Sequence, residues 1–99
     1  MTDGIQVVDN AAKSRFEVLV DGQVAGFAVY RLLPTVIVFT HTEVQPEYEG
    51  QGLAARLVGT ALDMSRDTGL GVLPACPYVA KYIKKHPEYA DLVVEDPRR

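Results

Sequence analysis

Two glycines between an extended run and a helical pattern constrain this chain more than any other feature. Residues 36–40 are mostly β-branched or aromatic and predict a strand, and Gly50 and Gly52 follow closely. From Leu53 onward the apolar residues recur at spacings of three and four, which predicts a helix. The order therefore predicts a strand, a tight loop and a helix whose first N–H groups have no partner inside the helix.

A loop of this kind is suited to binding an anion. The first N–H groups of a helix carry the positive end of its dipole, so a phosphate or pyrophosphate binds there favourably. The glycine spacing is one glycine short of the dinucleotide fingerprint, and the loop lacks the Lys-Ser/Thr pair of a P-loop. The loop residues alone therefore indicate an anion site without identifying the anion.

The pattern before this loop predicts strands, and the pattern after it predicts two helices joined by a short strand. Asp21-Gly22 is the strongest hairpin signal, because both central positions of a type I′ turn need a positive φ. Strands are predicted at residues 5–8, 15–20, 24–32, 35–44 and 70–73, helices at 53–68 and 77–85, and fraying at 96–99. This order predicts one α+β domain over residues 1–99, in which a mainly antiparallel, mixed sheet is packed by two helices.

Composition and charge exclude several classes of function. The chain has 99 residues and a net charge of −3, which argues against a general nucleic-acid binder. It has no apolar run of membrane-spanning length and no apolar signal core at its N-terminus. A single cysteine excludes an internal disulfide and agrees with a reducing compartment. We therefore expect a cytoplasmic protein that binds neither nucleic acid nor membrane and holds no metal.

The segment 44–54 reads Val-Gln-Pro-Glu-Tyr-Glu-Gly-Gln-Gly-Leu-Ala. It resembles the acetyl-CoA loop of the GNAT superfamily of N-acetyltransferases, whose motif is Gln or Arg, two residues, Gly, one residue, then Gly or Ala. Gly52 and Ala54 match the last two positions, whereas Glu49 stands where the motif has Gln or Arg. Backbone N–H groups carry most phosphate contacts in such a loop, so this departure weakens the match without removing it.

A resemblance to the minimal, single-domain GNAT-like family covers most of the chain, through four groups of residues in order. They are Asp21-Gly22 with Ala25 and Tyr30; His41-Thr42-Glu43-Val44; the loop 49–54; and Pro74-Ala-Cys76-Pro-Tyr78-Val79 with His86-Pro87-Glu88-Tyr89. The resemblance implies a trimmed acetyltransferase fold that uses acetyl-CoA as cosubstrate and an amine as acceptor. It also implies a set of CoA-binding residues: Val44 beside the pantetheine arm, and Glu49, Gly50, Gln51, Gly52, Leu53 and Ala54 around the pyrophosphate.

The basic stretch near the second helix has two interpretations. Lys81, Lys84, Lys85 and His86 fall within six residues. With the resemblance, Lys85 or Lys81 is expected to reach the 3′-phosphate of CoA. The stretch is equally consistent with a solvated helix face.

Three residues are candidates for catalysis. His41 and Glu43 are two apart on a strand and are expected to share a face with Ile37 and Phe39, as base and acid near the amine. A lone histidine at a strand end is otherwise more often structural. Cys76 opens the second helix, where the dipole favours a thiolate, although a small buried residue is the simpler interpretation.

The resemblance adds two roles for Cys76, as an acetyl carrier or as a proton donor to the departing CoA thiolate. Tyr78 and Tyr82 lie four apart on the second helix, and either an acid or a packing role suits them. The predicted function is acetyl-CoA-dependent N-acetyl transfer to an amine on a protein, a polyamine or a small metabolite. The alternatives are a CoA-binding module without turnover and an interaction domain that binds no CoA.

Overall fold

A computed structural model describes residues 4–95, so the predicted fraying of 96–99 lies outside the described residues. Within this range the chain alternates strands, helices and short 3₁₀ turns. The elements are β1 (Ile5–Asn10), β2 (Arg15–Val20), β3 (Gln23–Leu32), β4 (Val36–Val44), α1 (Leu53–Asp67), β5 (Gly71–Pro74) and α2 (Pro77–Lys85), with 3₁₀ turns at Ala11–Lys13, Pro46–Tyr48 and Pro87–Leu92. The predicted elements are confirmed, with boundaries that differ by at most two residues.

The strands form one sheet in the order β1-β2-β3-β4-β5. The first four strands pair antiparallel, and β5 pairs parallel to β4. A parallel neighbour requires a crossover connection, and α1 supplies it between β4 and β5. The predicted α+β fold with a mixed sheet is therefore confirmed.

The hairpin between β2 and β3 depends on its two central residues. Asp21 has a φ of 49° and Gly22 a φ of 84°, as a type I′ turn requires. The turn brings Val20 opposite Gln23 and sets the register at the tip of this hairpin, up to the bulge between Leu19 and Val18.

The core lies between one face of the sheet and the apolar stripe of α1. Phe39 is the largest fully buried side chain of the sheet in the described residues, and it lies within this core together with Phe16 and Tyr30. The α1 residues of the stripe are Leu53, Leu57, Val58, Ala61 and Leu62. This burial holds the N-terminus of α1 beside the end of β4.

Leu57→Ala should lower the free energy of unfolding by about 2–5 kcal/mol, because it deletes a side chain in a tightly packed core. Leu57 is 0 % exposed. Urea denaturation followed by circular dichroism measures the change. Lys84→Ala, at an exposed position of α2, is the control and should stay within about 0.5 kcal/mol of the parent. Equal losses in the two variants would contradict this location of the core.

A bulge interrupts β4 at Thr40. Tyr30 pairs with Phe39 and Val29 pairs with His41, so Thr40 is an extra residue between two paired positions. An extra residue of this kind reverses which face the following side chains occupy.

The bulge changes the predicted orientation of His41 and Glu43. Thr42 pairs with Ala28, which is fully buried beneath the helices, so Thr42 shares the helix-covered face with Ile37 and Phe39. His41 and Glu43 share a face, as expected, but it is the opposite face of the sheet. The expectation that they align with Ile37 and Phe39 is wrong, because the alternation of the strand breaks between the two pairs.

Candidate functional site

The strands β4 and β5 separate at the C-terminal end of β5. Their pairing ends at Phe39 and Pro74. The backbone N–H of Cys76 donates to the carbonyl of Phe39 at 2.7 Å, and the chain then turns away into α2. Among the described residues, positions 40–44 of β4 therefore have no strand partner on this side.

The separation opens a cleft of about 380 Å³ on the helix-covered side of the sheet. We call it the cleft below. Its walls are the end of β4, the glycine loop, the first turn of α1 and the start of α2. The lining residues are Thr42, Glu43, Val44, Tyr48, Glu49, Gly50, Gly52, Leu53, Ala54, Ala55 and Tyr78.

The glycine loop exposes its backbone to this cleft. Gly50 and Gly52 have φ values of 82° and 73°, which residues other than glycine rarely adopt. A Cβ added at either position would meet no atom within 4 Å, so the backbone faces open space. A ligand can therefore approach these peptide groups closely.

The N-terminus of α1 is available to an anion. Gly52 is the N-cap residue, and in the described chain no side chain caps this end and no acidic residue occupies its first turn. The first-turn residues Leu53, Ala54 and Ala55 all line the cleft. The positive end of the α1 dipole therefore faces a space large enough for part of a ligand.

The carboxylate of Glu49 opposes this field. Glu49 lines the cleft and is exposed to solvent. Glu43 lines the cleft as well, but its carboxylate pairs with His41 on the opposite face of the sheet. Glu49 lies at the end of the 3₁₀ turn Pro46–Tyr48 in an extended conformation, directly before the glycine loop. A carboxylate here repels a phosphate, although full hydration screens the repulsion.

The cleft brings together most of the predicted CoA-binding residues. Gln51 does not line it, and Lys85 belongs to a neighbouring pocket of about 320 Å³ with Lys81, Tyr82 and His86. The two spaces share lining residues Ala55 and Tyr78, so they adjoin each other along the start of α1 and α2.

His41 and Glu43 form a pair at the rim of the cleft. The His41 Nε2 and the Glu43 Oε1 are 3.2 Å apart, and the side chains are 58 % and 55 % exposed. The ring of Phe27 lies 6.3 Å from that of His41, centroid to centroid. The pair is therefore accessible from the face of the sheet that the helices leave open.

Cys76 lies beneath the cleft and does not line it. It is 3 % exposed, and its Sγ lies 3.4 Å from the Oγ1 of Thr42. Thr42 does line the cleft, so it separates the thiol from a ligand there. The prediction that Cys76 is a small buried residue is confirmed.

Four lining residues were outside the predicted set of site residues. Tyr78 was considered as an acid; burial raises the pKa of its hydroxyl, which keeps it protonated at neutral pH. Thr42 reaches the cleft because of the bulge at Thr40, and no pattern in the sequence signals that bulge. Tyr48 and Ala55 reach it through the path of the loop and the first turn of α1. Tyr82 instead stacks on His86, with ring centroids 4.2 Å apart.

Residues 4–95 contain neither a metal-binding cluster nor a membrane-spanning helix. No group of three or more His, Cys, Asp or Glu side chains could hold a metal ion there. Neither helix in that range combines the length and the apolar character needed to cross a membrane.

Residues 15–92 match the family model described as GCN5-related N-acetyl-transferase. Protein NATD1 of Gallus gallus is 33 % identical over 85 residues, which cover 84 % of this chain and 77 % of that protein. Protein NATD1 of Homo sapiens is 36 % identical over 52 residues, covering 52 % of this chain and 46 % of that protein. The match therefore spans about half the length of the human relative.

Solved structures share the fold at low sequence identity. A GCN5-like protein from Staphylococcus aureus has a TM-score of 0.69 and 18 % identity, covering 96 % of this chain and 93 % of that one. The ribosomal-protein-S18-alanine N-acetyltransferase of Escherichia coli has a TM-score of 0.59 and 18 % identity, covering 88 % of this chain and 54 % of that one. These similarities show the fold of the chain.

Proposed function

We propose, from the premise that this chain belongs to the GCN5-related N-acetyltransferase family, that it transfers an acetyl group from acetyl-CoA to an amine. One observation carries the proposal. An uncapped helix N-terminus and two positive-φ glycines face a cleft that opens where β4 and β5 separate. This arrangement combines an anion site with a strand edge that lacks a neighbour.

The residues of the cleft are compatible with CoA. The N–H groups of the loop and first turn, from Gly50 to Ala54 and including Gln51, would bind the pyrophosphate. The unpaired edge of β4 near Val44 offers backbone groups to the amide-containing pantetheine arm. Glu49 is the one residue of this set whose charge disfavours the ligand.

Lys85 extends the same proposal into the neighbouring pocket. Lys81 and Lys85 both line that pocket, which adjoins the cleft at Ala55 and Tyr78. Two ammonium groups near one space suit the 3′-phosphate of CoA. The proposal thus assigns the basic end of α2 to the cosubstrate.

His41 and Glu43 are proposed to take the proton from the acceptor ammonium. When the His41 Nε2–H donates to Glu43 Oε1, Nδ1 carries the lone pair and can accept that proton. The resulting imidazolium is stabilised by the carboxylate beside it. Because the pair lies on the open face, the acceptor would approach from the side opposite to CoA.

The departing CoA thiolate needs a proton, and two donors are available. Tyr78 lines the cleft with a protonated hydroxyl. Cys76 is linked to the cleft through the hydroxyl of Thr42, and its burial favours this indirect donor role over an acetyl carrier. We assign Cys76 to proton donation through Thr42.

A CoA-binding module without turnover is the second candidate, and one observation favours it. The His41–Glu43 pair is more than half exposed, and among the described residues the cleft beside it is bounded mainly by CoA-binding positions. Few residues are therefore left to form an acceptor pocket, and the proposed acceptor is an amine on a protein, a polyamine or a small metabolite.

The expected compartment is the cytoplasm, since the single cysteine of the chain is a buried free thiol.

Acetyl-CoA should raise the thermal midpoint of the protein. A ligand that binds only the folded state adds about 2.7 kcal/mol at 100 times its Kd, which corresponds to roughly 10 °C or more for a domain of this size. Differential scanning fluorimetry with acetyl-CoA, and with adenosine as a control that lacks the pyrophosphate, measures the rise. No shift with acetyl-CoA would exclude both CoA-dependent functions. A shift without thiol release across a panel of peptide, polyamine and small-molecule amines would favour the module.

A further inference from the structure

A further pocket, partly open to solvent, lies at the opposite end of α1 from the cleft. It has a volume of about 180 Å³, and we call it the distal pocket. Its apolar wall comes from the sheet and from the last turns of α1, and includes Phe16, Ile37 and Met64. Ala55 of the cleft and Ser65 of the distal pocket are ten residues apart on α1, or about 15 Å at the helical rise. The two spaces are therefore separate sites.

Each hydroxyl group that lines the distal pocket donates its proton in a hydrogen bond within the protein. Tyr30 donates to Asp9 Oδ1 at 2.6 Å. Ser65 donates to the carbonyl of Ala61 at 2.8 Å, and Thr68 donates to carbonyls of the preceding turn at 2.9 Å and 3.1 Å. A hydroxyl has one proton and two lone pairs, so these groups can now only accept hydrogen bonds from a ligand.

Charge in the distal pocket has one sign. Asp9 contributes a carboxylate, and none of the described residues that line the pocket is basic. The last turn of α1 lies at the negative end of the helix dipole. Burial and the bond to Asp9 raise the pKa of Tyr30 to about 12, so its proton stays committed at neutral pH.

We propose that the distal pocket binds a small primary alkylammonium ion, with the ammonium at Asp9 and the alkyl chain against the apolar wall. An ammonium group brings three donors and a positive charge to a rim that offers acceptors and a negative charge. The short alkyl chain gains by leaving water for the apolar wall. Because the site lies about 15 Å from the cleft, an amine held there is not the acetyl acceptor.

Titration of ¹⁵N-labelled protein with n-butylammonium, without acetyl-CoA, tests the site. We expect amide shifts confined to residues that line the distal pocket, with weaker effects from n-butanol and none there from butanoate. Binding of butanoate to the same residues as tightly as n-butylammonium would overturn the proposal. So would shifts that map only to the cleft. Since acetyl-CoA is absent, the result does not depend on the proposed acetyl transfer.

Asp9→Asn tests the role of the carboxylate. The amide keeps an oxygen that can accept from Tyr30 but loses the charge, so n-butylammonium affinity should fall roughly tenfold or more. Asp67→Asn, which removes the same charge from the exposed end of α1 outside the pocket lining, should change it less than twofold. Equal affinity in the Asp9 variant and the parent would overturn the proposal.

A lysine side chain carries the same alkylammonium group, so one further ligand is needed to distinguish a free amine from a lysine residue of a polypeptide. Nα-acetyl-lysine amide carries the same alkylammonium attached to a peptide-like group. Binding at least tenfold weaker than n-butylammonium is expected, because the distal pocket encloses a small volume. Equal or tighter binding would overturn the assignment to a free amine and assign the pocket to lysine residues of a polypeptide.

Discussion

Ala54→Asp should lower the affinity of the protein for acetyl-CoA by about a hundredfold or more. Ala54 is the second residue of α1 and lines the cleft. A carboxylate there would stand beside the proposed pyrophosphate, and two unit charges about 4 Å apart at a protein surface repel by roughly 4 kcal/mol. An aspartate in the first turn is also favourable to the helix dipole, so the fold should be retained.

Ala54→Asn is the matched control, because it has nearly the same size without the charge. Its affinity should lie well above that of the Asp variant. Isothermal titration calorimetry of both variants and the parent, with circular dichroism as a check on folding, measures the difference. Equal affinities for the Asp and Asn variants would contradict a phosphate at this helix end. The loop glycines are less suitable for this test, since a side chain at positive φ strains the backbone itself.

Glu49→Gln provides a change in the opposite direction within the same experiment. It removes a carboxylate from the cleft wall and introduces one of the two residues that the GNAT loop motif contains. The affinity should rise a few-fold, a modest gain because Glu49 is exposed and screened. An unchanged affinity would mean that the carboxylate of Glu49 points away from the bound phosphates.

His41→Ala should reduce kcat about 10²–10⁴-fold if His41 is the general base, with little change in the affinity for acetyl-CoA. The loss follows from the removal of the proton acceptor, whereas the cleft on the other face keeps its walls. Steady-state thiol release with the best amine from the panel measures kcat, and isothermal titration calorimetry measures the affinity for acetyl-CoA.

Arg31→Ala is the control for that experiment. Arg31 is exposed on β3, next to β4, and takes no part in the proposed site. Its kcat should remain within twofold of the parent. A His41 variant with parent-like kcat would exclude the base role.

The loop and the helix after it were predictable because their signals are local. Positive φ at Gly50 and Gly52 and the apolar stripe that begins at Leu53 each depend on residues close in sequence. The same holds for the Asp21-Gly22 turn. The CoA-binding positions proposed for the loop come from a resemblance to a motif that is contiguous in sequence, so they need no tertiary contact.

The orientation of the proposed catalytic residues was harder to predict, because it depends on pairing between strands. Alternation along β4 put His41 on the face of Phe39, but the unpaired Thr40 reverses that alternation. An extra residue in one strand depends on the register of its partner β3, which the β4 residues alone do not reveal. The position of Cys76 below Thr42 has the same origin, since 34 residues separate the two.

Residues close in sequence thus determine the loop and the helix that follows it, including the dipole at the start of that helix. They also indicate the family to which the chain belongs. Long-range packing determines where the cleft opens, because β5 stops pairing at Phe39 and α2 turns away from the sheet. It also determines that the His41–Glu43 pair and the glycine loop lie on opposite faces of the sheet. The glycine loop depends on residues close in sequence, whereas the cleft that it faces exists only because β4 and β5 separate after Phe39 and Pro74.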